Sequence, residues 1–259
     1  MLRWGAGRLE GALHRPVWDP GVAARRDALH AVDRRIAELL APLAPRHVLD
    51  LGCGTGAVAL WLAERLPALI TGVTLSALQV RLARERASAR GLAELCRFLE
   101  ADFLSLPELE PAGAAYAVES FAHAAEPSAF FAALRPHLVP GGLLVLCDDF
   151  LANARPGSRA EARWVERFRA GWRLSSLRTS DEVQRLAAAA GFRMQITEDL
   201  TPRLRLTPRP FLALRRLLLL LPLLGPAARS SLAGGTALQV CLRRGWVRYR
   251  FLVFRLEDG

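Results

Sequence analysis

The strongest chemical signal in the chain is a seven-residue run, Asp50-Leu51-Gly52-Cys53-Gly54-Thr55-Gly56, set between an apolar pentapeptide and a helical segment. Glycines let the main chain turn tightly and let a ligand approach it without interference from a Cβ. The helix start behind them offers free N–H groups to an anion. Two readings compete, because Gly52-x-Gly54-x-x-Ala57 also meets the dinucleotide fingerprint in its GxGxxA form. Asp50 weighs against that form, since a carboxylate two residues before the first glycine pairs with an ammonium but repels a pyrophosphate. A second candidate is His123, which ends Glu119-Ser120-Phe121-Ala122-His123 just past a predicted strand. Imidazole exchanges protons near neutral pH, so a histidine at a strand end is suited to work as a general base.

The elements that position these residues can be read from apolar runs and helical spacing. Strands are expected at 47–51 (HVLDL), 68–73 (ALITGV), 97–101 (RFLEA), 114–120 (AAYAVES) and 142–150 (GLLVLCDDF). Helices are expected at 22–43, 57–66, 76–90 with Ser76 as N-cap, and 128–138. Apolar strands alternating with helices argue for a parallel sheet covered on both faces. Beyond 150 the pattern loosens. Amphipathic helices are expected at 158–170 and 180–190, a strand at 193–200, a Leu- and Arg-rich helical region at 208–244 and a closing strand at 246–256. The expected organisation is an N-terminal arm and helix over 1–45, a ligand-binding core over 46–150, and cap helices with closing strands of the same domain over 151–259.

Composition narrows the function. The chain has 259 residues, of which 52% are apolar, so a disordered chain is excluded. It contains no lysine. The 35 basic residues are all arginine, dispersed along the chain, and there are two tyrosines. The net charge of +10 is therefore read as a basic face open to anionic lipids or acidic substrates rather than as a nucleic-acid site. Cys53, Cys96, Cys147 and Cys241 lie far apart with no CxxC pair, so reduced thiols, no metal site and a cytoplasmic location are expected. The N-terminus lacks the apolar region of a signal peptide. Arg215, Arg216 and Pro222 interrupt the most apolar stretch, 211–224, which is too broken to span a bilayer.

Taken together, VLDLGCGTG, GVTLSALQV, EADF, VESFAH and VPGGLLVLCDDF resemble the class I S-adenosylmethionine-dependent methyltransferases. Within them, GVTLSxxQ followed by ESFxH is similar to the tocopherol, sterol and cyclopropane-synthase-like branch, which includes many natural-product O- and C-methyltransferases. The resemblance implies an α/β fold, a Rossmann-like seven-stranded sheet with helices on both faces and a helical cap. It implies that Asp50, Gly52, Gly54 and Gly56 hold the methionine part of S-adenosylmethionine. The acidic residue that ends the second strand in many class I enzymes is absent, and Thr74, Leu75 and Gln79 are implicated in its place. Asp102 is implied at the adenine amino group with Phe103 packed on the ring, and Glu119 beneath the cofactor.

By the same resemblance His123 is the candidate general base, assisted by Asp149, with Asp148 its neighbour. His14 and Trp18 match an H-x-x-x-W-like element of the family's arm and are read as lid or substrate residues. Relatives carry a further helix before the segment matching RWGAGRLEG, so either a shortened lid or a misassigned start is expected. Trp164 and Trp172 are expected in a cap over the substrate pocket. The 211–224 stretch is open to three readings: a pocket wall or buried cap helix, a homodimer face, or a peripheral membrane contact. The implied substrate is a small, apolar or amphipathic secondary metabolite. The alternatives are a lipid-modifying methyltransferase at a membrane surface, a nicotinamide-dependent reductase and a non-catalytic binding module.

Overall fold

The computed structural model describes residues 14–219 and 225–257. One seven-stranded sheet organises them. Its strands are β1 (His47–Leu51), β2 (Leu69–Thr74), β3 (Cys96–Glu100), β4 (Ala112–Val118), β5 (Leu138–Leu151), β6 (Phe192–Asp199) and β7 (Val247–Leu256). They are ordered β3-β2-β1-β4-β5-β7-β6. The first five run parallel, and β7 is antiparallel to both β5 and β6. The strands after residue 150 thus complete the same sheet as those before it. The order reverses between β1 and β4, and in open α/β sheets the crevice at such a point, at the carboxyl ends of the strands, is where ligands bind.

Strict alternation of side chains explains the apolar runs. On β1, Val48 packs to one face and Leu49 and Leu51 to the other. On β5, Leu143, Val145 and Cys147 join the first face while Leu144 and Leu146 join the second. Both faces are buried, so a continuous apolar run is required rather than an apolar–polar alternation. Helices α2 (Ala31–Leu40), α3 (Ala57–Ala63) and α4 (Ala77–Ala89) cover the first face. Helices α5 (Pro127–Leu134) and α7 (Ser180–Ala189) cover the second, around a phenylalanine cluster of Phe121, Phe130, Phe131, Phe192 and Phe254.

Two expectations need correction, and a third gains detail. The helix expected over 22–43 is divided into α1 (Arg25–Leu29) and α2. It breaks at His30, whose ring is drawn to Asp33 (2.7 Å) and stacks on Trp61. The fifth strand begins at Leu138 rather than 142. Ala112 pairs with Leu138 and Ala114 with Leu143, so a bulge takes up Pro140-Gly141-Gly142 inside the strand, with Gly141 at positive φ. The helical region 208–244 is resolved into α8 (Arg209–Leu218) and α9 (Pro226–Arg244). Residues 220–224 of the apolar stretch lie outside the described residues, as do Trp4 and the RWGAGRLEG segment.

The cap is made by α6 (Arg159–Trp172) packed on α9, with Phe168, Ala237, Leu238 and Cys241 between them. The two helices meet at glycines. A Cβ on Gly234 would lie 2.8 Å from the carbonyl carbon of Gly171 and would overlap the Trp172 ring. Trp172 is thereby seated against α9. Gly234→Val is expected to destabilise the fold by about 1–3 kcal/mol through overpacking, seen as a lower urea midpoint. Gly235→Ala places its Cβ no closer than 3.9 Å, to Trp172, and is expected to hold or raise that midpoint.

Candidate active site

Asp50 is the last-but-one residue of β1, and the chain turns sharply after it. Gly52, Gly54 and Gly56 all have positive φ, which L residues with a Cβ rarely adopt. A Cβ on Gly52 would also collide with Ser120. The turn is held because the N–H groups of Gly52 and Cys53 both donate to the Val73 carbonyl at 2.9 Å, and the Ser120 hydroxyl donates to the Leu51 carbonyl at 2.5 Å. A cavity of about 360 Å³ opens beside this loop, at the carboxyl ends of β1, β2 and β4. Asp50 lies in its wall, buried, and its Oδ2 has no hydrogen-bond partner. Burial raises its carboxyl to about 7, offset in part by the Tyr116 hydroxyl beside it, which makes no hydrogen bond of ordinary geometry.

The other expected cofactor residues divide into those on the wall and those behind it. Thr74, Leu75, Gln79, Phe103 and Glu119 line the cavity with Gly52 and Gly54. Thr74 Oγ1 donates to Gln79 Oε1 at 2.7 Å, fixing the amide at the start of α4, and Ser76 caps that helix as expected. Asp102 is not on the wall. Its Oδ1 accepts the Leu104 N–H at 2.9 Å, which orders the turn between the wall residues Ala101 and Phe103.

At the reacting end, alternation along β5 separates two adjacent carboxylates. Asp148 follows the parity of Leu144 and Leu146; its Oδ2 accepts the Ala122 N–H at 3.0 Å and its Oδ1 the Asp149 N–H at 2.7 Å. It therefore anchors the 3-10 turn Phe121–His123 that carries His123 onto the cavity wall. Burial pushes its carboxyl up to about 7, and Asp149 adds to the push. Asp149 turns to the opposite face. Both of its oxygens accept from the Arg15 guanidinium, at 3.0 and 2.9 Å. The expected pairing of Asp149 with His123 is thus replaced by a pairing with Arg15. Among the described residues, the structure shows no side-chain hydrogen bond to the His123 imidazole.

Arg15 also donates through its backbone N–H and Nε to Glu119 Oε1, each at 2.9 Å, and its guanidinium lies 4.1 Å from the Tyr249 ring centroid. Glu119 sits at φ +52 to meet it, a backbone cost that the two hydrogen bonds and ion pair offset. Against the desolvation that burial imposes, Arg15 and His14 hold the Glu119 carboxyl below its ordinary range. His14 lines the cavity, and its Nε2 lies 3.2 Å from Asp33 Oδ1. Trp18 does not line the cavity; Arg205 stacks on its ring at 3.3 Å and its backbone N–H donates to the Arg203 carbonyl, tying the arm to the segment after β6. Trp172 reaches the cavity and is half-exposed, whereas Trp164 packs in the cap away from it. The residues missed in the sequence are Arg15 and Asp33. All four thiols are buried and free, and burial raises each of them, so none serves as a nucleophile.

This strand order, with one antiparallel strand near the edge and an acidic, glycine-turned loop at the switch point, defines a class I S-adenosylmethionine-dependent methyltransferase. Residues 48–142 match the model of the methyltransferase domain family. The O-methyltransferase cnsE of Penicillium expansum is 31% identical over 200 residues, covering 76% of this chain and 71% of that protein. The 27-O-demethylrifamycin SV methyltransferase of Amycolatopsis mediterranei is 29% identical, covering 73% and 69%. A geranyl diphosphate methyltransferase solved in complex with S-adenosylmethionine superposes with a TM-score of 0.70 at 22% identity, covering 94% of this chain and 98% of that one. The chain belongs to the S-adenosylmethionine-dependent methyltransferases, which closes the nicotinamide alternative. The site fits that cofactor. Asp50 is buried with its Oδ2 unpartnered, as a carboxylate that would receive the cofactor's ammonium should be, and Thr74, Gln79 and Phe103 border the same cavity.

Because Arg15 is 19% exposed and its partners Glu119 and Asp149 are 14% and 7% exposed, its removal strands two buried carboxylates. Arg15→Gln is expected to cost about 3–5 kcal/mol, measured by urea unfolding at pH 7. The Glu119 carboxyl is held low in the folded state, so its contribution is present above its ordinary value near 4.5 and is lost as pH falls through the folded value. The gap between variant and wild type should accordingly narrow in acid. A gap that is small at pH 7, or constant with pH, would show that the ion pairs do not hold the arm.

Proposed function

We propose that the chain methylates a hydroxyl or nucleophilic carbon of a small, apolar or amphipathic secondary metabolite, with His123 as general base. The observation that carries this reading is the position of His123. It stands at the carboxyl end of β4, on the wall of the cavity that also holds Asp50 and the glycine loop. S-adenosylmethionine supplies an electrophilic methyl group there, so the protein's work is to align an acceptor and take its proton. Trp172 and Val118 give the wall apolar surface for the acceptor. Asp148 fixes the turn that carries His123, and Arg15 with Asp149 and Glu119 holds the arm against the site. In the O-methylation case the acceptor's hydroxyl proton would pass to the basic ring nitrogen of His123 as the oxygen bonds to the methyl group and the sulfur–methyl bond breaks, the electron pair staying on sulfur and S-adenosylhomocysteine leaving. The two O-methyltransferase relatives, one acting on a demethylrifamycin by its name, support this substrate class.

His123→Ala is expected to lower kcat about 10²–10⁴-fold while leaving S-adenosylhomocysteine binding by calorimetry within about threefold of wild type. Loss of binding together with activity would assign His123 to the cofactor instead.

A second reading, a lipid-modifying enzyme at a membrane surface, is favoured by α8. Phe211, Leu214 and Leu217 are 60%, 50% and 57% exposed on it, and the sequence around them is rich in arginine. No helix among the described residues is long and apolar enough to cross a membrane, so this would be interfacial contact. Cosedimentation with vesicles containing anionic lipid, lost in Leu214→Glu/Leu217→Glu with unchanged S-adenosylhomocysteine binding, would support it. Absence of vesicle binding by the wild type, or dimerisation lost in the double variant, would set it aside.

A further inference from the structure

The cavity poses a charge problem that Asp50 solves by half. An α-amino acid end brings a carboxylate as well as an ammonium, and the carboxylates and histidines of the described wall are Asp50, Glu119, His14 and His123, beside the Cys53 thiol. No arginine is among them, in a chain with 35. A carboxylate beside Asp50 and Glu119 is repelled unless a cation meets it. Of the two histidines, His14 is the one whose charge acts on Asp50. It is 7% exposed; its Nε2 lies at ion-pair distance, 3.2 Å, from Asp33 Oδ1, and both of its ring nitrogens are buried without a hydrogen bond of ordinary geometry. Asp33 is itself fixed by His30, which stacks on Trp61.

We infer that His14, held in its charged form by Asp33, binds the carboxylate of the cofactor's amino-acid end, so that His14 and Asp50 together clamp the zwitterion. This rests on the assignment of Asp50 to the ammonium. The arm is then a cofactor-binding element, and not a lid or substrate element alone. His14 faces Asp33 and His30 at the start of α2, Asp50 from β1, Glu119 from β4, and Arg15 next to it on the arm. The nearby carboxylates outweigh burial and hold its imidazolium above the ordinary histidine value. The clamp is therefore complete well below the ordinary histidine value and weakens as pH rises through the higher folded one.

The test is a ligand–variant cycle by calorimetry with S-adenosylhomocysteine and its decarboxylated analogue. Wild type is expected to prefer the carboxylate-bearing ligand by about 10–100-fold. His14→Phe is expected to lose that preference while binding the decarboxylated analogue as wild type does. In the wild type, the preference should shrink as pH is raised from the ordinary histidine value of 6.5 upward through the folded one. A wild type with no preference, a preference that survives in His14→Phe, or equal weakening of both ligands would each overturn the clamp. Equal weakening would leave His14 a structural residue. Tight binding of the analogue with no preference would leave the cofactor assignment intact, whereas binding of neither ligand by wild type would overturn that assignment too. Should His14→Phe melt well below wild type, the pH series on the wild type decides: a preference constant with pH refutes the inference.

Discussion

The site depends on one buried guanidinium. Arg15 lies between Glu119 at the end of β4 and Asp149 near the end of β5, over the ring of Tyr249 from β7. Three strands are bridged by one side chain from a segment that has no regular structure of its own. A pair this buried is costly to desolvate, and it persists because its hydrogen bonds to Asp149 are made bidentately, which a lysine would not do. The same contact places the preceding residue, His14, in the cavity wall. The arm is stapled again by Asp19, which pairs with Arg35 of α2 and Arg203 after β6. Irregular backbone is thereby given the precision that a helix or strand would supply by packing.

Most of the scaffold was legible in one dimension. Apolar runs of five to ten residues separated by helical spacing are what a parallel sheet buried on both faces must look like, and β1, β2, β3 and β4 fall within a few residues of expectation. The glycine loop was legible for a related reason, since positive φ at Gly52, Gly54 and Gly56 constrains residue type directly. The departures occur where a distant contact outbids a local signal. Pro140-Gly141-Gly142 reads as punctuation, yet pairing with β4 carries β5 straight through it with a bulge. The helix before β1 reads as continuous, yet the pull of Asp33 and Trp61 on His30 breaks it.

The partner of Asp149 was not legible, and the reason is geometric. Arg15 and Asp149 are 134 residues apart, and nothing in the spacing of an all-arginine chain distinguishes Arg15 from the other 34. A signal did exist. Residues 143–150 alternate between two buried faces, so Asp148 and Asp149 necessarily point opposite ways, and only one of them can serve the turn that carries His123. The other, buried on the face covered by the arm and α2, requires a cation from an element that precedes β1. Alignment to a family transfers residue types, whereas strand alternation fixes the direction in which each side chain points.

Direction also resolves why so basic a protein has so acidic a cavity wall. Its arginines are spent at the perimeter: on Asp19 and Glu198, on carbonyls such as that of Phe98, and on the carboxylates just behind the wall. A guanidinium on the wall itself would oppose a ligand carrying a sulfonium and an ammonium. Retiring arginine one layer outward keeps Glu119 ionised while Asp50 Oδ2 stays without a partner, and histidine, whose charge depends on its carboxylate partner, is the basic residue that this field tolerates on the wall.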